Sequence, residues 1–195
     1  SVPSGFRQKW ISYQKARSVE WRYDPKFKQT CNDQAYRLFT LALAGQPEKA
    51  AMNRLRETEG IPDLSRWLLA ASFVTSGREE AADDLLDMRK ISTETEYQDY
   101  YYGSAIRDKA IILYTLTLLN KNEEALALLK DICDSFNNSN WYSTQSVAWG
   151  LFSYMKWSQK MPTTTNAPVK INAVTNGEKN DITIQPGRIW SDDLQ

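Results

Sequence analysis

Three stretches of the chain carry the same hydrophobic pattern. Leu38 to Ala50 reads LFTLALAGQPEKA, Leu69 to Ala81 reads LAASFVTSGREEA, and Leu113 to Ala125 reads LYTLTLLNKNEEA. Each is an uncharged apolar run, a short polar turn, an acidic residue and an alanine that opens a second helix. The second helices are one-sided. Ala125, Leu128, Leu129, Ile132 and Cys133 lie at i, i+3, i+4, i+7 and i+8 with charges opposite, and Leu85 and Met88 repeat the pattern in a helix expected over Glu79–Arg89. A helix that is apolar all round is buried, and a one-sided helix faces water.

Alternating inner and outer helices fit either an α-solenoid of the tetratricopeptide kind or an α/α toroid. The second helices open 31 and then 44 residues apart, at Ala50, Ala81 and Ala125. A tetratricopeptide array holds its period near about 34. The extra length sits at Ile91–Gly103, an aromatic loop ending Tyr97-Gln-Asp-Tyr-Tyr-Tyr-Gly103. Such irregular connections favour the toroid.

The composition changes after residue 160. Gly45, Gly60, Gly77 and Gly103 and the sparse prolines Pro25, Pro47 and Pro62 punctuate the helical part. Residues 161–168 (MPTTTNAP) form a linker. Val169–Thr175 then alternates as a strand does, Asn176-Gly177 is a hairpin signal, and Asp181–Gln185 is a second strand stopped by Pro186-Gly187. The expected organisation is a helical toroid fragment over 1–160 and a β-sandwich segment over 169–195. The fold class is mainly α, a partial ring of inner and outer helices followed by a short β segment.

Composition narrows the functions. The chain has 195 residues, 42% hydrophobic and 25% charged, with 24 basic residues against 24 acidic. It is globular, and its zero net charge points away from nucleic acid and anionic membranes. The absence of histidine removes Ser-His-Asp and Cys-His catalysis and histidine zinc sites. Cys31 and Cys133 are too few for a disulfide framework or a cysteine zinc site. No metal or cofactor is expected. Residue 1 is serine, and neither a signal-type apolar region nor a membrane-spanning run follows. An excised piece of something larger is expected.

Several segments resemble a known family. Gln34-Ala-Tyr-Arg-Leu-Phe-Thr-Leu-Ala-Leu-Ala-Gly45 followed by Met52-Asn-Arg-Leu-Arg56, then Tyr102-Gly-Ser-Ala-Ile-Arg-Asp108, look like the bacterial α2-macroglobulin thioester domain. Trp141-Tyr-Ser-Thr-Gln145, followed by Ala148-Trp149, is similar to the opening of that domain's last long helix. The resemblance implies an α/α toroid inserted into a β-sandwich, and makes Arg107, Asp108, Trp141, Thr144 and Gln145 structural motif residues. It implies a part in broad-spectrum endopeptidase inhibition. A target protease cuts a bait region, the large protein encloses it, and a thioester in a Cys-x-Glu-Gln motif captures it. By the same resemblance the location is the periplasm or cell envelope. The partners are target proteases, met through the full-length protein, and other domains of the same chain. The fragment itself is expected to be non-catalytic and not to insert in a membrane.

The residues leave alternatives. Cys31-Asn-Asp-Gln34 has the spacing a thioester needs, with Asp33 where the family has glutamate. It also reads as a helix start capped by Asn32 or Asp33, with Cys31 as a small apolar residue and the capture motif before Ser1 or lost. Arg107 and Asp108 read as a structural pair at a helix head. Asp99 and Asp108 would be the carboxylates of a carbohydrate-active toroid. A helical repeat module would instead bind protein on a concave surface. Tyr97–Tyr102, Trp141 and Tyr142 read as packing aromatics or as a stacking platform. Trp149, Phe152 and Met155/Lys156 read as core, and Cys133 as an inert buried thiol. Residues 1–30 hold seven basic residues against two acids, a solvated face or a surface for an acidic partner.

Overall fold

Unbroken burial identifies the inner helices. The structure is a computed structural model, and it describes residues 3–86, 104–137, 142–161, 168–175 and 178–184. The chain divides into two compact units, Ser1–Ser158 and Gln159–Gln195. In the first, α4 (Asp63–Thr75) is buried at every residue from Trp67 to Phe73, and α6 (Ala105–Leu118) at every residue from Ala110 to Thr117. Seven consecutive buried residues cover every side of a helix, since two turns take about seven. α2 (Thr30–Leu43) buries Cys31, Gln34, Ala35, Leu38, Phe39, Leu41 and Ala42, a wide face at helical spacing. α2 packs on α4, and α4 on α6.

The outer helices follow the inner ones. They are α3 (Lys49–Arg56), α5 (Glu79–Asp83) and α7 (Asn122–Phe136). α7 buries Ala125, Leu128, Leu129 and Ile132 and turns charges outward. Cys133 is exposed, which corrects the buried thiol expected from its spacing. α5 is also shorter than Glu79–Arg89: it ends at Asp83 and passes into a turn closed by Asp84 N–H to the Glu80 carbonyl. Met88 lies outside the described residues.

All three inner helices stop in the same way. Gly45 (φ 73°), Gly77 (φ 73°) and Asn120 (φ 58°) are left-handed. The N–H groups of Gly45 and Gln46 bond back to the Ala42 and Leu41 carbonyls, those of Gly77 and Arg78 to Val74 and Phe73, and those of Asn120 and Lys121 to Thr117 and Leu116. This is the Schellman closure, which satisfies the last carbonyls and reverses the chain into the outer helix. The repeat in sequence is therefore a repeat of one helix–turn–helix geometry.

A helix precedes and another follows these hairpins. α1 (Phe6–Glu20) lies against α2. α8 (Thr144–Lys160) turns a spine of small residues inward, Ser146, Gly150 and Ser153. Its half-buried Trp149 and Phe152 join an aromatic cluster with Phe39 and Tyr114. Met155 is 42% exposed, so the core expected along this helix stops short of it, while Lys156 lies over the Phe152 ring. Tyr114 stacks on Phe152 at 5.3 Å, and Arg107 meets Gln145 at the same sequence offset, so α6 and α8 run in the same direction.

In the second unit, β1 (Val169–Thr175) and β2 (Glu178–Ile184) form an antiparallel pair, with Val169 opposite Ile184 and Thr175 opposite Glu178. β2 starts three residues before the strand expected at Asp181. Asn176-Gly177, Pro186-Gly187 and most of the linker lie outside the described residues. An isolated two-stranded pair is marginal in water.

Candidate functional site

Two clusters hold the candidate residues, both at the heads of inner helices. At the first, Cys31 and Gln34 lie one turn apart on α2, and both are fully buried. The Gln34 Nε2 donates to the Ser18 carbonyl of α1 at 2.9 Å, and its Oε1 accepts from the Arg37 guanidinium at 2.7 Å. Arg37 Nε donates in turn to Gln14 Oε1 at 3.0 Å. Arg54 of α3 donates to the Ser18 and Val19 carbonyls at 3.0 and 3.2 Å. Both ends of the carboxamide are thus engaged, as burial of a polar group requires.

Burial sets the chemistry of this cluster. It pushes the Cys31 thiol above its ordinary pKa, against smaller opposing effects of a backbone hydrogen bond and Lys28. The thiolate is the nucleophile, so the buried thiol is a poor one. Burial likewise raises the Asp33 carboxyl, opposed by Arg37, and lowers the Arg37 guanidinium, opposed chiefly by Asp33. Neither Asn32 nor Asp33 caps the helix, which corrects that expectation. The helix starts at Thr30 after Gln29 with no side-chain cap, and Asn32 Oδ1 accepts from the buried Ser65 hydroxyl of α4 at 2.6 Å.

The second cluster joins α6 to α8. Ser104 caps α6 by accepting from Arg107 N–H at 3.5 Å. Asp108 is buried, and the Arg107 guanidinium holds its Oδ1 at 2.8 and 2.9 Å. The same guanidinium donates to Gln145 Oε1 at 3.3 Å. Arg107 therefore ties a buried carboxylate to the head of α8. Ser143 stands before Thr144 and accepts from Ser146 N–H at 3.2 Å, closing the first turn of α8. Lys109 pairs with Asp131 of α7 at 2.6 Å. Thr144 is exposed, and Trp141 lies outside the described residues.

Asp99 and Tyr97–Tyr102 lie outside the described residues. Asp108 faces Arg107. Tyr142 packs edge-on against Phe136 at 5.1 Å and its hydroxyl donates to the Ser135 carbonyl. Much of the basic excess near the start is used internally. Arg7 donates to the Ala44 carbonyl at 2.8 Å, and Lys15 meets Glu48 at 3.3 Å and Gln46 at 3.0 Å. Ser18, Arg37 and Arg54 were not singled out by sequence. The available signal was Arg37, a charge directly before the uncharged run that opens at Leu38. Among the described residues, no group of three or more Cys, Asp or Glu is placed to hold a metal ion, and no helix is long and apolar enough to cross a membrane.

No family model matches the chain, and no curated protein matches it. Solved structures do. A cryo-EM structure of Escherichia coli alpha-2-macroglobulin in its native conformation matches 95% of this chain and 12% of its own, with TM-score 0.68 and 21% identity. A crystal structure of the native E. coli protein from domain MG7 to the C-terminus matches 95% of this chain and 30% of its own, with TM-score 0.68 and 20% identity. The chain thus spans less than a third of either. The likeness is one of fold: a mainly α, toroid-like arrangement of inner and outer helices with a following β pair, as the resemblance implied.

Proposed function

We propose that this chain is the later part of a thioester-type toroid domain in a bacterial α2-macroglobulin-like protein, a broad-spectrum trap for endopeptidases. The observation that carries the reading is a fold match over 95% of the chain at TM-score 0.68. The position of the family-like segments supports it. Gln34–Gly45 is most of α2 and its turn, Ser104–Asp108 opens α6, and Ser143–Gln145 opens α8. The first two segments thus form or start inner helices, and the third starts the helix that follows the hairpins.

Within that protein the chain acts as scaffold, not as catalyst. Gln34 is committed to Ser18 and Arg37, and Cys31 is a buried, neutral thiol. Both are packing residues in this reading, and covalent capture belongs to groups outside the pair. Arg107, Asp108 and Gln145 fix the heads of α6 and α8 against each other. Residues 169–195 belong to the adjoining β domain. The location is the periplasm or cell envelope, and the partners are target proteases and neighbouring domains of the same polypeptide.

Two measurements test this. The polypeptide carrying this chain, incubated with an endopeptidase, is expected to block cleavage of large protein substrates while small peptide substrates are still cut. Equal cleavage of both would overturn the trap. For the pair, intact mass is expected to equal the sequence mass, with no thiol released by methylamine. A mass short by one ammonia and a released thiol would make Cys31 and Gln34 the capture group.

A further inference from the structure

The helix α1 is built unlike the others. Its N-terminus lacks the features that stabilise a helix alone. Gly5 precedes it without a side-chain cap, and its first turn has no acidic residue. Arg7 and Lys9 sit there instead, the wrong sign for a helix N-terminus. Fifteen residues are marginal for an isolated helix even in a favourable sequence.

Docking supplies little apolar burial. Only Ile11 and Ser18 are buried, while Phe6, Tyr13 and Val19 are exposed. What holds α1 is polar. Its last carbonyls, Ser18 and Val19, accept from Gln34 and Arg54 of the body. Gln14 accepts from Arg37, Lys15 pairs with Glu48, and Arg7 reaches the Ala44 carbonyl at the end of α2. The Ser18 carbonyl would otherwise be an orphan of the helix end, whereas Val19 also accepts from Arg22 just past the helix at 2.7 Å. Part of the C-terminal cap of α1 is local, with Trp21 N–H on the Arg17 carbonyl and Arg22 on Val19, and the rest is lent by α2 and α3, so docking completes the helix end. Just beyond, Trp21 leaves the helix (ψ 136°) and packs on the main core.

We infer that α1 is a latch. It opens as a unit about the Trp21 anchor while the helices α2 to α7 stay folded, and its opening releases the Gln34 carboxamide from the Ser18 carbonyl. Segments with few buried apolar contacts open below the global unfolding free energy. The inference rests on contacts inside the chain and stands apart from the trap reading.

Native-state hydrogen exchange of the whole chain tests it. The amides of Ile11–Glu20 are expected to exchange at least about 100-fold faster than those of α4 and α6, with little dependence on denaturant. Arg54→Met removes two cap bonds and is expected to speed α1 exchange by about 10-fold while α4 and α6 change less than about twofold. If that variant does not fold, Lys15→Met at the more exposed Glu48 contact is expected to give a smaller effect, again confined to α1. Equal protection and equal denaturant dependence in α1, α4 and α6 of the unaltered protein would overturn the latch. So would a variant that accelerates all three together.

Discussion

Gly150 of α8 passes so close to Phe136 at the end of α7 that a β-carbon at residue 150 would lie 2.8 Å from the ring. Two effects of Gly150→Ala therefore oppose each other. Helix propensity favours alanine by about 1 kcal/mol. Overpacking costs about 1–3 kcal/mol. The Phe136 ring is braced by Tyr142 at 5.1 Å, so it yields poorly and overpacking wins. Chemical denaturation is expected to show a net loss of about 1 kcal/mol. With Phe136→Leu in place the ring edge is gone, and the same substitution is expected to stabilise. A stabilising Gly150→Ala in the unaltered chain would mean that the ring moves freely.

The two cysteines are expected to differ sharply in reactivity. Cys133 is exposed and Cys31 fully buried with a raised thiol pKa. A disulfide reagent at pH 8 is expected to label Cys133 at once and Cys31 only on unfolding. The raised thiol also makes stability depend on pH. The folded state holds the Cys31 proton to higher pH than the unfolded chain does, so it binds more protons above the ordinary thiol pKa. That contribution to stability is complete below the unfolded value and is lost as pH rises toward the folded one. Cys31→Ala is expected to flatten this alkaline loss. Rapid labelling of both thiols in the native state would contradict the burial.

Several features were legible in the sequence for physical reasons, and others were not. The inner helices show as uncharged apolar runs because α4 and α6 are buried on every side and α2 over a wide face. Gly45 and Gly77 show because a left-handed turn favours glycine, whereas Asn120 does the same work without that mark. Cys133 misled because eight residues at about 100° each bring it about 80° round from Ala125, to the edge of the stripe. The Gln34 network was hidden because it closes through the Ser18 carbonyl of α1, which also accepts from Arg54 of α3, and both come from other helices. Nothing local in Gln34 says that it will be buried. Met155 was misjudged because helical spacing says which residues share a face, not how far the neighbouring helices reach along it.

Arg107 and Asp108 offer a test of the joint between α6 and α8. Removing one partner of a buried ion pair leaves an uncompensated charge, at a cost of about 3–5 kcal/mol. Arg107→Met is expected to lose about 3 kcal/mol of stability, at the low end because both residues make further contacts. Adding Asp108→Asn removes the stranded charge, so the double variant is expected to be more stable than Arg107→Met alone. A double-mutant cycle reads the coupling directly. Strict additivity would show that the pair does not hold Asp108 in place.

The three left-handed turn residues should behave as one class, although only two are glycine. An L-residue in this conformation costs about 1–2 kcal/mol, and asparagine is among the few side chains that tolerate it. Glycine avoids that strain but loses about 0.5–1 kcal/mol more backbone entropy on folding. Asn120→Gly sets these terms nearly equal and is expected to change stability by less than about 0.5 kcal/mol. Asn120→Ala is expected to cost about 1 kcal/mol, and so are Gly45→Ala and Gly77→Ala. A β-carbon at Gly45 or Gly77 meets nothing within 4 Å, so the loss at those positions is backbone strain and not a clash. Gly77→Asn is accordingly expected to lose less than Gly77→Ala. Thermal unfolding of the five variants gives the order glycine, asparagine, alanine if one Schellman geometry governs every hairpin. A neutral Asn120→Ala would mean that the third hairpin reverses by a different turn, and that the repeat in sequence is not one of structure.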